Sequence, residues 1–121
     1  MQTLDRVLAA LSAIRAPRTL SEYDLHALVS SALSTAGLPC LHEVRLAPRR
    51  RIDFMCLEVG IEIKKGRPTA TPLLKQLDAY AQAQQVGALV LVAEHPPRLP
   101  QTISGKPLTI VSLQRPWGIA L

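Results

Sequence analysis

The sequence predicts an α/β fold in which a mixed central sheet is flanked by helices. Two amphipathic helical segments come first, followed by three short strand-like runs between residues 41 and 64. A third helical segment then separates that meander from Ala88-Leu89-Val90-Leu91-Val92, an apolar run that reads as a strand buried on both faces. A meander followed by a helical crossover gives a mixed sheet with helices on its faces. With 121 residues, 48% of them hydrophobic, the chain is one domain, 1–121, with a modest but sufficient core.

The N-terminal region, 1–18, holds a helix over residues 3–15, with Leu4, Val7, Leu8, Leu11 and Ile14 on one face and Ala16-Pro17-Arg18 as its terminator. A second helix is expected from Leu20 to Ala36, burying Leu25, Leu28, Val29, Ala32 and Leu33 and stopping at Gly37. Glu22 precedes that stripe by three and seven residues, so it points toward the same side. Thr19-Leu20-Ser21-Glu22 also has the form of a capping box, in which Glu22 bonds back to the Thr19 N–H. His26, one turn on, can face the same side, although a partly buried histidine without a metal partner is more often structural.

The first strand, Leu41 to Leu46, sets Leu41, Glu43 and Arg45 against His42, Val44 and Leu46; Glu43 is a rival to Glu22 as a third carboxylate, although a solvated or salt-bridged strand residue is the more ordinary reading. The next two strands surround Leu57-Glu58 as a two-residue turn. One side of the first carries Ile52, Phe54 and Cys56, and the other carries Arg51, Asp53 and Met55. The second sets Val59, Ile61 and Ile63 against Gly60, Glu62 and Lys64. A third helix over residues 70–85 follows Pro68, with Pro72 in its first turn; Leu73, Leu74, Leu77, Tyr80 and Ala81 form its packing face and Gln76 shares a face with Tyr80. Four prolines between 95 and 107 read as an exposed loop, and residues 108–121 as a last strand, Leu108 to Leu113, and a tail with Pro116, Trp117 and Gly118.

The turn at Leu57-Glu58 pairs Cys56 with Val59 and so brings Asp53 opposite Glu62. Carboxylates that face each other across an antiparallel pair lie roughly 5 Å apart and repel unless a cation joins them. Lys64, two residues beyond Glu62, closes an exposed salt-bridge cluster in one reading. In the other the cation is a divalent ion, for which hard carboxylate oxygens are the natural ligands. Lys64 then orients or helps deprotonate a water for in-line attack on phosphate.

An acidic residue on one strand followed by Glu62-Ile63-Lys64 on the next resembles the motif of the PD-(D/E)XK nucleases, which include restriction endonucleases, Holliday junction resolvases and RecB-type exonuclease domains. Gln76-Leu77-Asp78-Ala79-Tyr80 matches the Q-x-x-x-Y helix motif of the RecB-like branch. The proline of the family name is replaced by Ile52, which touches no metal ligand. The resemblance covers about half the chain and implies the restriction endonuclease-like αβββαβ core, an order the predicted elements share. It further implies a Mg2+- or Mn2+-dependent deoxyribonuclease. Asp53, Glu62 and the Ile63 carbonyl hold the metal, Lys64 positions the water, Gln76 and Tyr80 support the site, and Glu22 stands where many members place a further acidic ligand.

Composition favours a polyanionic partner: fourteen Lys and Arg against nine acids give a net charge of +5. Seven of those fourteen, Arg45, Arg49, Arg50, Arg51, Lys64, Lys65 and Arg67, flank Asp53 and Glu62, as forked phosphate recognition requires. The Q-x-x-x-Y match places Tyr80 beside the bound strand; without it Tyr80 reads as a core aromatic and Gln76 as its exposed neighbour. With four aromatic residues in all there is little material for base stacking, so binding to duplex or branched DNA should be backbone-driven and of low sequence specificity. A chain this small leaves no room for a separate target-recognition domain, and analogy with resolvases suggests a homodimer. A non-catalytic DNA-binding module and an assembly protein are the competing classes. Two cysteines cannot make a four-cysteine zinc or iron–sulfur site, and there is neither a signal-peptide core nor an apolar span of 18 residues, so a reducing cytoplasm is expected and no membrane.

Overall fold

The computed structural model describes residues 2–15 and 20–113. The predicted helix terminator at Ala16-Pro17-Arg18 and the tail at Pro116-Trp117-Gly118 lie outside them. The elements in chain order are α1 (Gln2–Ser12), α2 (Glu22–Thr35), β1 (Cys40–Ala47), β2 (Arg50–Cys56), β3 (Val59–Lys64), α3 (Ala70–Ala81), β4 (Ala88–Ala93), β5 (Thr102–Ile103) and β6 (Lys106–Ser112). Six strands form one mixed sheet in the order β1-β2-β3-β4-β6-β5. β1, β2 and β3 are antiparallel neighbours, whereas β3–β4 and β4–β6 are parallel. The α/β class and the mixed, helix-flanked sheet are therefore as predicted.

Two cores lie on opposite faces of the sheet. α1 and α2 bury Val7, Leu11, Leu25, Val29 and Leu33 against Phe54, Val59, Ile61, Val90 and Val92. α3 buries Leu73, Leu77 and Tyr80 against Ile52, Met55, Leu89 and Leu91 on the other. All six residues of β4 are buried, as a central strand with helices on both sides must be. α2 ends as its sequence predicted: Gly37 at φ 72° lets its own N–H reach Ser34 O at 2.9 Å while Leu38 N–H reaches Leu33 O at 3.1 Å. These two bonds satisfy the last carbonyls, and buried Leu38 folds back to close the motif.

Three expectations are corrected. The cap of α2 is Ser21, whose hydroxyl accepts the Asp24 N–H at 3.0 Å, so the helix begins at Glu22 and the capping-box role assigned to Glu22 falls away. The stretch 95–107 is not loop throughout: its end turns at Ser104-Gly105 to pair Thr102 with Pro107 and Ile103 with Lys106. The third correction concerns strand phase. Glu43 takes the left-handed conformation, φ 50°, between the pairs His42–Phe54 and Val44–Ile52. His42 meets the Phe54 ring at 4.5 Å on the α2 face, while Val44 and Ile52 pack on the α3 face. Regular alternation would have put Ile52 with Phe54. Both strands change phase at the same place, and Asp53 stands there.

Cys40 and Cys56, read from the sequence only as apolar strand residues, face each other across β1 and β2 and are joined by a disulfide. A reducing cytoplasm would hold the same pair as two thiols. Among the described residues no helix is long and apolar enough to cross a membrane.

Gly60 is required by the phase change. A Cβ there would come within 2.7 Å of Ile52 Cδ1 and 3.1 Å of Leu89 Cδ2, both fully buried. Gly60→Ala is therefore expected to destabilise the fold by about 1–3 kcal/mol in denaturant unfolding. Ile52→Val removes the obstructing methyl, so the double variant should recover part of that loss; strict additivity would show that the clash is not the cause.

Candidate active site

β2 and β3 pair regularly from the turn outward through Cys56–Val59, Met55–Gly60 and Phe54–Ile61. Past that point the two carboxylates take over the ladder. Asp53 Oδ2 accepts the Ile63 N–H at 2.7 Å, and Glu62 Oε1 accepts the Asp53 N–H at 3.3 Å. Each acid thus satisfies a backbone donor of the opposing strand, at the pair the turn register predicts. Glu62 is 4% exposed, while Asp53 is half-buried.

α3 holds Glu62 from below. The Tyr80 hydroxyl donates to Arg51 O at 2.9 Å, lies 3.4 Å from Glu62 Oε2, and accepts from Gln76 Nε2 at 3.0 Å. A phenol has one proton, and the shorter bond to Arg51 takes it. The contact between Tyr80 and Glu62 is therefore served best when Glu62 carries a proton to donate. Tyr80 is fully buried, so its ring does not lie beside a bound strand as expected, and its part in the site is the hydroxyl alone. Burial, with the nearby Glu62 charge, pushes that hydroxyl's pKa up.

Lys64 Nζ lies 3.6 Å from Glu62 Oε2, half-exposed at the end of β3. The Ile63 N–H already serves Asp53, which leaves its carbonyl in the same short stretch of backbone. Glu22 is largely exposed and reaches His26 Nε2 at 4.0 Å without a contact to Asp53 or Glu62. His26 is closer in: its Nε2 is buried without a hydrogen-bond partner, 3.9 Å from Asp53 Oδ2. Its place one turn after Glu22 allowed His26 to face the site, although the sequence favours a structural role, and the structure sets it beside Asp53. Glu43, the other acid near by, is exposed and pairs with Arg51 at 3.5 Å, as the salt-bridged reading expected.

A residue that the sequence did not mark is Glu94, just past β4. Glu62 and Glu94 are the buried charged residues among those described. Glu94 Oε1 accepts the Gly66 N–H at 2.7 Å and pairs with Lys65 at 3.6 Å, while its own N–H donates to Lys64 O at 3.3 Å. It fixes the backbone on the far side of Lys64. Of the predicted phosphate ligands, Arg49, Arg51, Lys65 and Arg67 are exposed, and Arg50 is half-buried.

The electrostatics are those of two acids crowded out of water. Burial raises the Glu62 pKa to about 8, reinforced by the Asp53 charge and opposed by Lys64. Burial also raises that of Asp53, against the Ile63 N–H, which favours the charged form. Among the described residues no three side chains of His, Cys, Asp or Glu form a metal-ligating group. No family model, no curated protein and no solved structure matches the chain.

A carboxyl group with a raised folded-state pKa binds a proton more tightly folded than unfolded, so its contribution to stability is lost as pH rises from its unfolded value to its folded one. For Glu62 that window runs from 4.5 to about 8. In metal-free buffer, wild-type stability should fall relative to Glu62→Gln across that range, leaving the variant the more stable above it. Parallel pH profiles in thermal unfolding would contradict the assignment.

Proposed function

We propose that this protein is a magnesium- or manganese-dependent nuclease that hydrolyses DNA phosphodiester bonds with little sequence specificity, of the PD-(D/E)XK type that its motifs resemble. The observation that carries the reading is the pair Asp53 and Glu62 at the open end of β2 and β3. Burial raises both pKa values, the Asp53 charge raises that of Glu62 further, and among the described residues the lysine or arginine in contact with the pair is Lys64. Such a pair favours a bound divalent cation.

The donor set fits the ion. Asp53, Glu62 and the Ile63 carbonyl are hard oxygen ligands, and the buried, unpartnered His26 Nε2 beside Asp53 adds a nitrogen donor at the rim. A divalent ion held there supplies Lewis acidity toward a phosphoryl oxygen and toward the attacking water. Lys64, anchored through Glu62 on one side and the Glu94-held backbone on the other, orients that water and offsets developing negative charge. Tyr80, held by Gln76, ties α3 to the Arg51 carbonyl beneath the Glu62 carboxyl, and Arg49, Arg50, Lys65 and Arg67 draw the phosphate backbone to the site. Arg51 contributes after release from Glu43. A homodimer is the proposed assembly, by analogy with resolvases.

The test is cleavage of supercoiled, linear and branched DNA with Mn2+ or Mg2+. Asp53→Ala and Lys64→Ala are each expected to lower the rate by about a hundredfold or more while retaining salt-dependent DNA binding. If the wild type binds DNA and cuts none of these substrates with either metal, the catalytic reading fails and a non-catalytic binding module replaces it.

A further inference from the structure

Beside the carboxylate pair lies a cleft of ≈ 330 Å³, lined by Arg50, Lys64, Pro68, Thr69, Pro72 and Gln76 with Leu73. Among the described residues no acidic side chain lines it. The Arg50 guanidinium makes no ion pair or hydrogen bond among the described residues, although the residue is half-buried; its neighbour Arg51 is held by Glu43 at 3.5 Å. A guanidinium on the wall of an acid-free cleft, with no anion of the described residues beside it, is placed to take one from a ligand.

The remaining walls have the same sign. α3 opens on the cleft through Thr69 and Pro72, its Thr69 side chain makes no capping bond, and its first turn contains no acidic residue. The partial positive charge of that helix end is thus left for a ligand. Lys64 and Gln76 are shared between the cleft and the carboxylate site, through contacts of 3.6 Å to Glu62 and 3.0 Å to Tyr80. An anion in the cleft is therefore adjacent to the group positioned by Asp53 and Glu62 and distinct from it.

We infer that this cleft is a subsite for one backbone phosphate of a DNA strand, the neighbour of the phosphate that is cut, with Arg50 as its principal ligand. The inference rests on the nuclease reading for the identity of the strand. It separates Arg50 from the other arginines of the cluster: Arg50 reads one phosphate at a fixed place, whereas exposed Arg49 and Arg67 contribute long-range attraction.

The test uses the intact protein without metal, so binding is measured apart from cleavage. Amide and guanidinium NMR shifts are followed on titration with inorganic phosphate, with a thymidine dinucleotide, and with the same dinucleotide carrying an uncharged methylphosphonate linkage. The dinucleotide is expected to shift Thr69, Ala70, Thr71 and the Arg50 guanidinium, and the methylphosphonate to bind roughly tenfold more weakly. Arg50→Ala should weaken dinucleotide binding by a similar factor and erase the difference between the two linkages. Arg98→Ala, an exposed charge elsewhere, should preserve that difference. Arg50→Lys, which keeps the charge, guards against a folding defect, and matching thermal midpoints are required of all three variants. Equal binding of the two dinucleotides, or equal effects of Arg50→Ala and Arg98→Ala, would overturn the subsite. Shifts produced by inorganic phosphate but not by the dinucleotide would overturn the strand assignment and leave a free-phosphate site. If DNA is cut with no preference between linkages, the subsite alone falls. If the preference appears and nothing is cut, the nuclease reading falls and the subsite stands.

Discussion

Asp53 and Glu62 repel each other at the open end of β2 and β3, and much of the surrounding architecture serves to keep them there. A regular antiparallel ladder would continue past Phe54–Ile61 with backbone bonds. Here the acids accept the backbone donors instead, Ile63 N–H at 2.7 Å and Asp53 N–H at 3.3 Å. Each carboxylate thus secures the opposing strand, so withdrawing one would leave an unpaired N–H as well as an empty place. The like charges are tolerated because each is partly neutralised where it stands, Asp53 by a backbone dipole and Glu62 by Lys64 and by its own raised pKa. The same repulsion leaves the pair receptive to further positive charge.

Much of the path to this pair could be read from residue order. The Cys56–Val59 pairing, and with it Asp53 opposite Glu62, follows from a two-residue turn between alternating runs. The uninterrupted apolar run Ala88–Val92 identified a central strand, and Gly37 identified a helix end. These features depend on contacts close in sequence or on composition alone. The phase change at Glu43 could not be read in this way. A glutamate at φ 50° has no mark in the sequence, and alternation counted through it assigns Ile52 to the wrong face. Gly60 was a retrospective clue, because a strand interior lacking a side chain signals a close approach by something else.

The same distinction explains what was misplaced in the site. Tyr80 at a four-residue spacing from Gln76 was correctly put on one helix face, but spacing does not report depth, and its ring is in the core. Glu22 resembled both a cap and a ligand until Ser21 took the cap by bonding to Asp24. Glu94 was invisible because its partner, the Gly66 N–H, lies 28 residues away along the chain. Long-range side-chain-to-backbone bonds have no local pattern, and this one forms only after β4 has docked beside β3.

The placement of Glu62 and Glu94 gives Lys64 its particular environment. These two buried acids, one on β3 and the other just past the end of its parallel neighbour β4, bracket the lysine: Glu62 reaches its ammonium, and Glu94 holds the backbone just beyond it. A lysine has a long, flexible stem and would ordinarily lose much side-chain entropy on being fixed at one point. Here its backbone is held by β3 pairing and by the Glu94 bond independently of the side chain, so only the stem remains to be positioned. The ammonium therefore stands at the boundary between an acidic pair and an acid-free cleft. On one side it compensates negative charge that burial has made expensive. On the other it joins Arg50 and the start of α3 in a positive wall, so the polarity of the site reverses across a single side chain.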